Sequence, residues 1–235
     1  MFKKFKQQVL TAAVTAILVG PGAANAAGEK IIASFHNMAE PFFVVMTREL
    51  KDEAKKHNVD VTVVDGQANS AKQTADVENA LVQGVKGIII APTDVKALTP
   101  AVNEVIKAGV PIVTVDRYIE GASKAVPHVG ADNVKGGEAE AQAMVDAFPN
   151  GAKIFHLQGQ PGAGPAIDRN KGVHNVLDGM KDKYQIIFEQ TANFARDQGL
   201  SVTEAGLSAN GKPDAIICAN DDMALGAVEA CAARG

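Results

Sequence analysis

An excess of basic charge is the first thing this sequence lacks. Lys and Arg number 23 against 27 Asp and Glu, a formal net charge of −4. Nucleic acid and anionic membrane surfaces both need a basic patch, so neither is an expected partner. Long apolar runs are missing as well. The stretch from Val9 to Val19 is about half the length needed to span a bilayer, which argues against a retained membrane anchor. No Gly-Lys-Ser/Thr occurs, so there is no P-loop for nucleotide phosphates. His36, His57, His128, His156 and His174 are scattered, and no Cys/His cluster has metal-ligand spacing. Neither a metal nor a cofactor is expected. No Ser/His/Asp set or carboxylate pair is imposed by spacing, and the chain reads as a non-enzyme. Cysteine is scarce. Cys218 falls near the end of a strand and Cys231 more than two turns into the following helix, too far apart to bridge, so both are expected as buried free thiols.

What is present begins with an export signal. Met1-Phe-Lys-Lys-Phe-Lys6 is basic, Val9 to Val19 is apolar, Gly20-Pro21 breaks a helix, and Ala24-Asn25-Ala26 offers the small residues of a cleavage site. Residues 1–26 are therefore expected to be removed. No cysteine stands at the cleavage site, so a lipid anchor is not indicated. Lys3, Lys4 and Lys6 leave with the signal and no acid does, which takes the remaining chain from −4 to −7. N-terminal sequencing of the exported protein should begin at Ala27, and a mature form that still carries Met1 would refute cleavage.

The rest alternates short Val/Ile-rich runs with helix-period segments. Ile31–Phe35, Val61–Val64, Gly87–Ala91 and Ile112–Val115 read as buried parallel strands. Phe42–His57, Ala71–Gln83 and Val95–Ala108 read as the helices between them, the third with Asp94 as its N-cap and Gly109 as its stop. After Val126–Gly130 the pattern restarts. Helix Asn133–Ala147 leads to strand Lys153–Gln158, helix Ala166–Lys181 to strand Gln185–Gln190, and helix Arg196–Ala209 to strand Asp214–Ala219. A last helix starts near Asp221. The expectation is an α/β chain of two doubly wound parallel-sheet lobes around a ligand cleft, residues 27–130 and 131–235. Because the second lobe stops at Ala233-Arg234-Gly235, the sequence reads as truncated, and residues 27–235 alone are expected to be marginally stable.

In open α/β sheets, ligands bind beyond the carboxyl ends of the strands. There the chain places Glu40, Phe42 and Phe43 after the first strand and Asp116-Arg117 after the fourth. Arg169 lies beyond the glycine-rich Gly159–Pro165, Phe194 after the strand at 185–190, and Asn220 after the strand at 214–219. Flat rings suit the C–H faces of a sugar, while Asp, Asn and Arg suit its hydroxyls. Each has a plainer reading: one phenylalanine as core, Asp116-Arg117 as a surface ion pair, Asn220 as a helix cap. Their shared position beyond two sheets favours a site.

Pro41-Phe42-Phe43, Gly87-Ile-Ile-Ile-Ala-Pro-Thr-Asp94, Val110-Pro-Ile-Val-Thr-Val-Asp-Arg117, Gly130-Ala-Asp-Asn-Val-Lys-Gly-Gly137, Leu157-Gln-Gly159 and Asn220-Asp-Asp-Met-Ala-Leu-Gly226 stand in the order of one family. The chain resembles periplasmic sugar-binding proteins of the ribose-binding type, the solute receptors of ABC importers. The resemblance implies that Phe42 and Phe43 stack on the ligand, and that Asp116, Arg117, Arg169, Phe194 and Asn220 also contact it. It implies a monomer in the periplasm that binds a sugar, polyol or cyclitol, delivers it to a membrane ABC permease, and also serves a chemoreceptor in some members. Glu40 and Ala91 depart from it, each standing where ribose binders carry Asn. An inositol-like or amino-bearing cyclitol therefore enters beside ribose.

Two other readings compete. In a nucleotide-using α/β enzyme the Gly159–Pro165 loop would hold phosphate, but Ile167 stands where the third glycine is required. A sugar-sensing repressor shares the two-lobe core, but a signal sequence occupies the place of its helix-turn-helix.

Overall fold

The computed structural model describes residues 29–234, and the expected signal segment lies outside them. The chain builds two parallel sheets one after the other. The first contains β1 (Glu29–Phe35), β2 (Val59–Asp65), β3 (Gly87–Ala91), β4 (Ile112–Val115) and β5 (His128–Val129), in the order β2-β1-β3-β4-β5. The second contains β6 (Ala152–Gln158), β7 (Tyr184–Thr191) and β8 (Ala215–Cys218), in the order β7-β6-β8. Helices α1 (Pro41–Lys56), α2 (Ser70–Val82) and α3 (Thr99–Lys107) connect the first sheet. Helices α4 (Asn133–Ala147), α5 (Gly164–Leu177), α6 (Arg196–Asn210) and α7 (Asp221–Ala232) flank the second. The change of sheet falls between Val129 and Asn133. Among the described residues, no helix is long and apolar enough to cross a membrane.

Continuous apolar runs become strands buried on both faces, as parallel sheets require. Ile32, Ala33 and Phe35 of β1 and Ile88, Ile90 and Ala91 of β3 are buried between helices. Parallel pairing sets β1 beside β3 from Ile31–Gly87 to Phe35–Ala91, so their carboxyl ends finish level. Buried Gln73 of α2 ties those ends together. Its amide nitrogen donates to the carbonyls of Ser34 and Ala91, and its oxygen accepts from the Thr93 backbone N–H at 2.8 Å. A polar group this deep is stable only because each side of the amide is paired. The level edge therefore does not fray, and the loops that leave it start from fixed points.

The structure shifts some expected boundaries. Asp94 does not cap α3. Its Oδ1 accepts from the Lys96 and Ala97 backbone N–H groups, closing a turn, and the helix starts five residues later at Thr99 with Pro100 in its first turn. The segment Val126–Gly130, where the sequence pattern restarts, carries a short strand not named from sequence, His128–Val129, which Pro127 limits because it has no N–H to give the ladder. The helix expected to reach Lys181 ends at Leu177 and tightens into a 3-10 turn over Asp178–Met180.

Cys218 and Cys231 are free, as expected, but only Cys218 is buried. Cys231 sits on the outer side of α7. Burial pushes the Cys218 thiol up to about 12, and the Glu140 carboxylate adds to the shift. One thiol of the native protein should react with an aromatic disulfide reagent, and a second only in denaturant. Rapid modification of two thiols under native conditions would contradict this placement.

A candidate ligand cleft between the two sheets

The carboxyl ends of both sheets face one cavity of about 340 Å³, lined by Glu40, Phe42, Asp116, Arg117, Pro165, Arg169, Phe194, Asn220, Asp221 and Asp222. That is near the lower end of small-molecule sites, about 300–1,000 Å³, and suits a single ring rather than a chain of sugars. Seven of the eight site residues expected from sequence line it. Phe43 does not. It is fully buried against Phe35 at 5.5 Å and His36 at 5.3 Å, while Phe42, one residue earlier on α1, is half exposed and faces the cavity. Successive residues on a helix point about 100° apart, so one ring of the pair turns inward. Phe43 supports the site from beneath, edge-on to Phe42 at 5.2 Å.

Arg117 is the electrostatic centre. It is 2% exposed, with its guanidinium between two rings, 5.9 Å from the centroid of Phe43 and 5.7 Å from that of Phe194. Nη1 donates to Gln160 Oε1 at 3.0 Å, joining the first sheet's loop to the second's. Glu40 lies 3.9 Å away and Asp116 3.7 Å away, near enough for attraction but too far for hydrogen bonds. The buried Arg117 Nε–H has no hydrogen-bond partner among the described residues. A ligand hydroxyl placed here would meet carboxylate oxygens that Arg117 does not hydrogen-bond.

Asp116 adopts φ 59°, a left-handed backbone that non-glycine residues seldom take, and its N–H is held by the Val129 carbonyl at 2.8 Å. Asn193 and Phe194 share that conformation, at 53° and 62°. Strain thus gathers at the loops that aim Asp116 and Phe194. Burial pushes the Asp116 carboxyl above the usual carboxylate range, against the pull of Arg117 and Arg169. Burial likewise lowers His36, outweighing its bond to Glu40. His36 is then neutral, and its Nε2–H donates to Glu40 Oε1 at 2.5 Å, fixing that carboxylate and leaving its other oxygen for a ligand.

Arg169 is anchored from the second sheet's side. Its Nε donates to Asn133 Oδ1 at 2.9 Å, and an Nη donates to the Ala219 carbonyl. Gly137 of α4 makes this possible, because a Cβ there would stand 2.1 Å from the Arg169 carbonyl oxygen. Asn220 does cap a helix, accepting from the Met223 N–H at 2.9 Å, and its amide donates to the Phe194 carbonyl at 3.1 Å. It therefore serves structure and cavity together. The sequence reading missed Pro165, Asp221, Asp222 and the brace at Gln160, although all four stand in the loops it singled out. It also took His156 and His174 as scattered, whereas the fold brings both to Glu189, away from the cleft.

Among the described residues, hydrogen bonds close the sheets over the cavity. Besides Arg117–Gln160, the Tyr118 hydroxyl donates to Asp168 at 3.3 Å and the Val95 N–H to the Gly162 carbonyl at 2.9 Å. Gly159 lets Phe194 reach its place, since a Cβ at 159 would stand 2.1 Å from the ring. Gly159→Ala should displace Phe194 and weaken ligand affinity about tenfold, the value of one good stacking contact. Calorimetry showing unchanged affinity would remove Phe194 from the site.

Residues 31–235 match the periplasmic binding protein domain family. The ribose import binding protein of Bacillus subtilis is 42% identical over 202 residues, which are 86% of this chain and 65% of that protein. The Caulobacter myo-inositol binding protein, solved with myo-inositol, aligns with a TM-score of 0.85 at 46% identity, over 92% of this chain and 72% of that one. An ABC transporter solute-binding protein of Bacillus halodurans, also with bound myo-inositol, aligns at 0.82 and 29% identity, over 89% of this chain and 73% of that one.

Proposed function

Since the chain belongs to the periplasmic binding protein domain family, we propose that it is the exported receptor of an ABC importer and captures one neutral, polyhydroxylated ring in the cleft. The observation that carries this reading is the lining. Phe42 and Phe194 supply apolar surface, while Glu40, Asp116, Arg117 and Arg169 supply charged hydrogen-bonding groups of both signs. Asp221 and Asp222 tip the cavity toward negative charge, which disfavours an anionic ligand. A ring with hydroxyls at its edge and C–H groups on its faces matches both halves of the lining.

Within that class a cyclitol fits better than ribose. Glu40 is a held carboxylate where the ribose-type pattern carries an amide, so its free oxygen accepts from a ligand hydroxyl and donates to none. The ring then has to present a hydroxyl donor at that position, and a cyclitol carries a hydroxyl on every ring carbon. An amine is a weaker match, because one Glu40 oxygen already serves His36 and Arg117 lies 3.9 Å away. The solved Caulobacter relative holds myo-inositol, which agrees with this choice.

No bond is made or broken. The ligand enters between the lobes, here taken as residues 27–130 and 131–235, and the closed state gains because it gives the ligand contacts from both. The permease then recognises the closed form. A cleaved signal at 1–26 would place the protein in the periplasm. A thermal-shift screen of pentoses, hexoses, polyols and inositols tests the proposal. An inositol should raise Tm most, and stabilisation by sugar phosphates alone would overturn it.

A further inference from the structure

On the far part of the second sheet, three side chains meet that no sequence spacing joins. His156 stands on β6, His174 on α5 and Glu189 on β7. His156 Nδ1 lies 2.8 Å and His174 Nε2 lies 2.9 Å from Glu189 Oε1. One donor atom from each residue falls within 4.8 Å of the others. We propose that these residues form a site for one divalent transition-metal ion, Zn²⁺ or a near relative, held by His156 Nδ1, His174 Nε2 and the Glu189 carboxylate with a fourth position open to solvent.

The donor set is the first argument. Two imidazoles and a carboxylate with an open position suit zinc, while Mg²⁺ and Ca²⁺ prefer all-oxygen sites. Geometry is the second. Donors about 2.1 Å from a four-coordinate ion stand about 3.4 Å apart, so the two close pairs need to open by only about half an ångström.

The surroundings supply a third, independent argument. Protein metal sites hold their histidines through the second ring nitrogen, commonly with a carboxylate. His174 has that arrangement, its Nδ1 lying 3.1 Å from Asp178 Oδ1, which sets Nε2 toward Glu189. Gln158 in turn orients the carboxylate. Its Nε2 lies 2.8 Å from Glu189 Oε1 and 2.8 Å from Asn170 Oδ1. Access is graded too. The His156 side chain is 1% exposed and forms a floor, while those of His174 and Glu189, at 29% and 33%, leave an entry.

Without a metal, protons occupy this network. Burial alone would lower His174, but hydrogen bonds to Asp178 and Glu189 outweigh it and raise its pKa. The hydrogen bond from His156 leads the effects that pull Glu189 down to about 2, against its partial burial. A metal ion must displace the proton between each histidine and Glu189. Lys181, 3.3 Å from Asp178, is the neighbouring cation and competes only for the outer carboxylate.

Zn²⁺ titrated calorimetrically into the chelator-treated full-length protein near neutral pH tests the site. One ion should bind per chain. His174→Ala and Glu189→Gln should each weaken binding at least about tenfold, while His57→Ala, at an exposed histidine outside the cluster, should leave it unchanged. Response to the cleft ligand should stay the same in all three. As a readout that needs no variant, X-ray absorption at the zinc edge of the wild-type protein should show two imidazole ligands. Failure of the protein to bind zinc saturably, variant affinities equal to wild type, or a spectrum without imidazole would each overturn the proposal, and none of them bears on the cleft.

Discussion

Arg117→Ala should lower the stability of the ligand-free protein by about 3 kcal/mol, a drop in Tm of roughly 6–12 °C for a chain of this size. Arg117 is 2% exposed, so solvent screens little of its interaction with Glu40 and Asp116. Removing it leaves two carboxylates near each other in a partly dehydrated cavity and leaves a void between Phe43 and Phe194. Gln160 also loses the donor that ties it to the first sheet. Losing one partner of a buried charge cluster destabilises far more than the intact cluster stabilises. Arg117→Lys keeps the charge but not the flat guanidinium between the rings, and should recover only part of the loss. Thermal unfolding followed by circular dichroism measures both variants. A wild-type Tm for Arg117→Ala would mean that Glu40 and Asp116 do not depend on it.

Asp116→Ala and Arg169→Ala should each weaken ligand affinity about ten- to a hundredfold, the value of one charge-assisted hydrogen bond of roughly 1.5–3 kcal/mol. The two residues reach the cavity from different sheets, Asp116 after β4 and Arg169 from α5. Their effects should therefore differ in kind. Asp116→Ala also puts alanine at a left-handed φ of 59° that it tolerates poorly, so Asp116→Asn is the cleaner variant for binding. Arg169→Ala also frees Asn133 and the Ala219 carbonyl. Titration calorimetry on each variant, with folding checked by its melt, reports the loss. Wild-type affinity in both would take them out of the site.

Much of this was legible in the chain because parallel strands announce themselves. Gly87–Ala91 and Ile112–Val115 lie where the apolar runs lie, since those strands are covered and carry one polar side chain between them, Thr114. The cleft was legible for a topological reason. Once strands and helices alternate, every strand's carboxyl end falls on the same edge, and the residues that follow are neighbours whatever their separation in sequence. The choice between Phe42 and Phe43 was not legible, because it depends on the rotation of α1 against β1. The start of α3 was misjudged because Asp94 caps a turn as readily as a helix, and the pattern of apolar residues does not tell the two apart. The His156–His174–Glu189 cluster was invisible for a related reason. Its members come from three elements, and only the register of β6 against β7, with His156 opposite Glu189, brings two of them level.

The most direct measurement is a crystal structure of the full-length protein mixed with myo-inositol. One ring should lie between Phe42 and Phe194, with hydroxyls on Asp116, Arg169 and the free oxygen of Glu40, and with Tyr118 still bonded to Asp168 across the closed cleft. A cleft left empty at saturating ligand, or a ring bound elsewhere on the surface, would contradict the assignment of this cavity to a neutral polyhydroxylated ring.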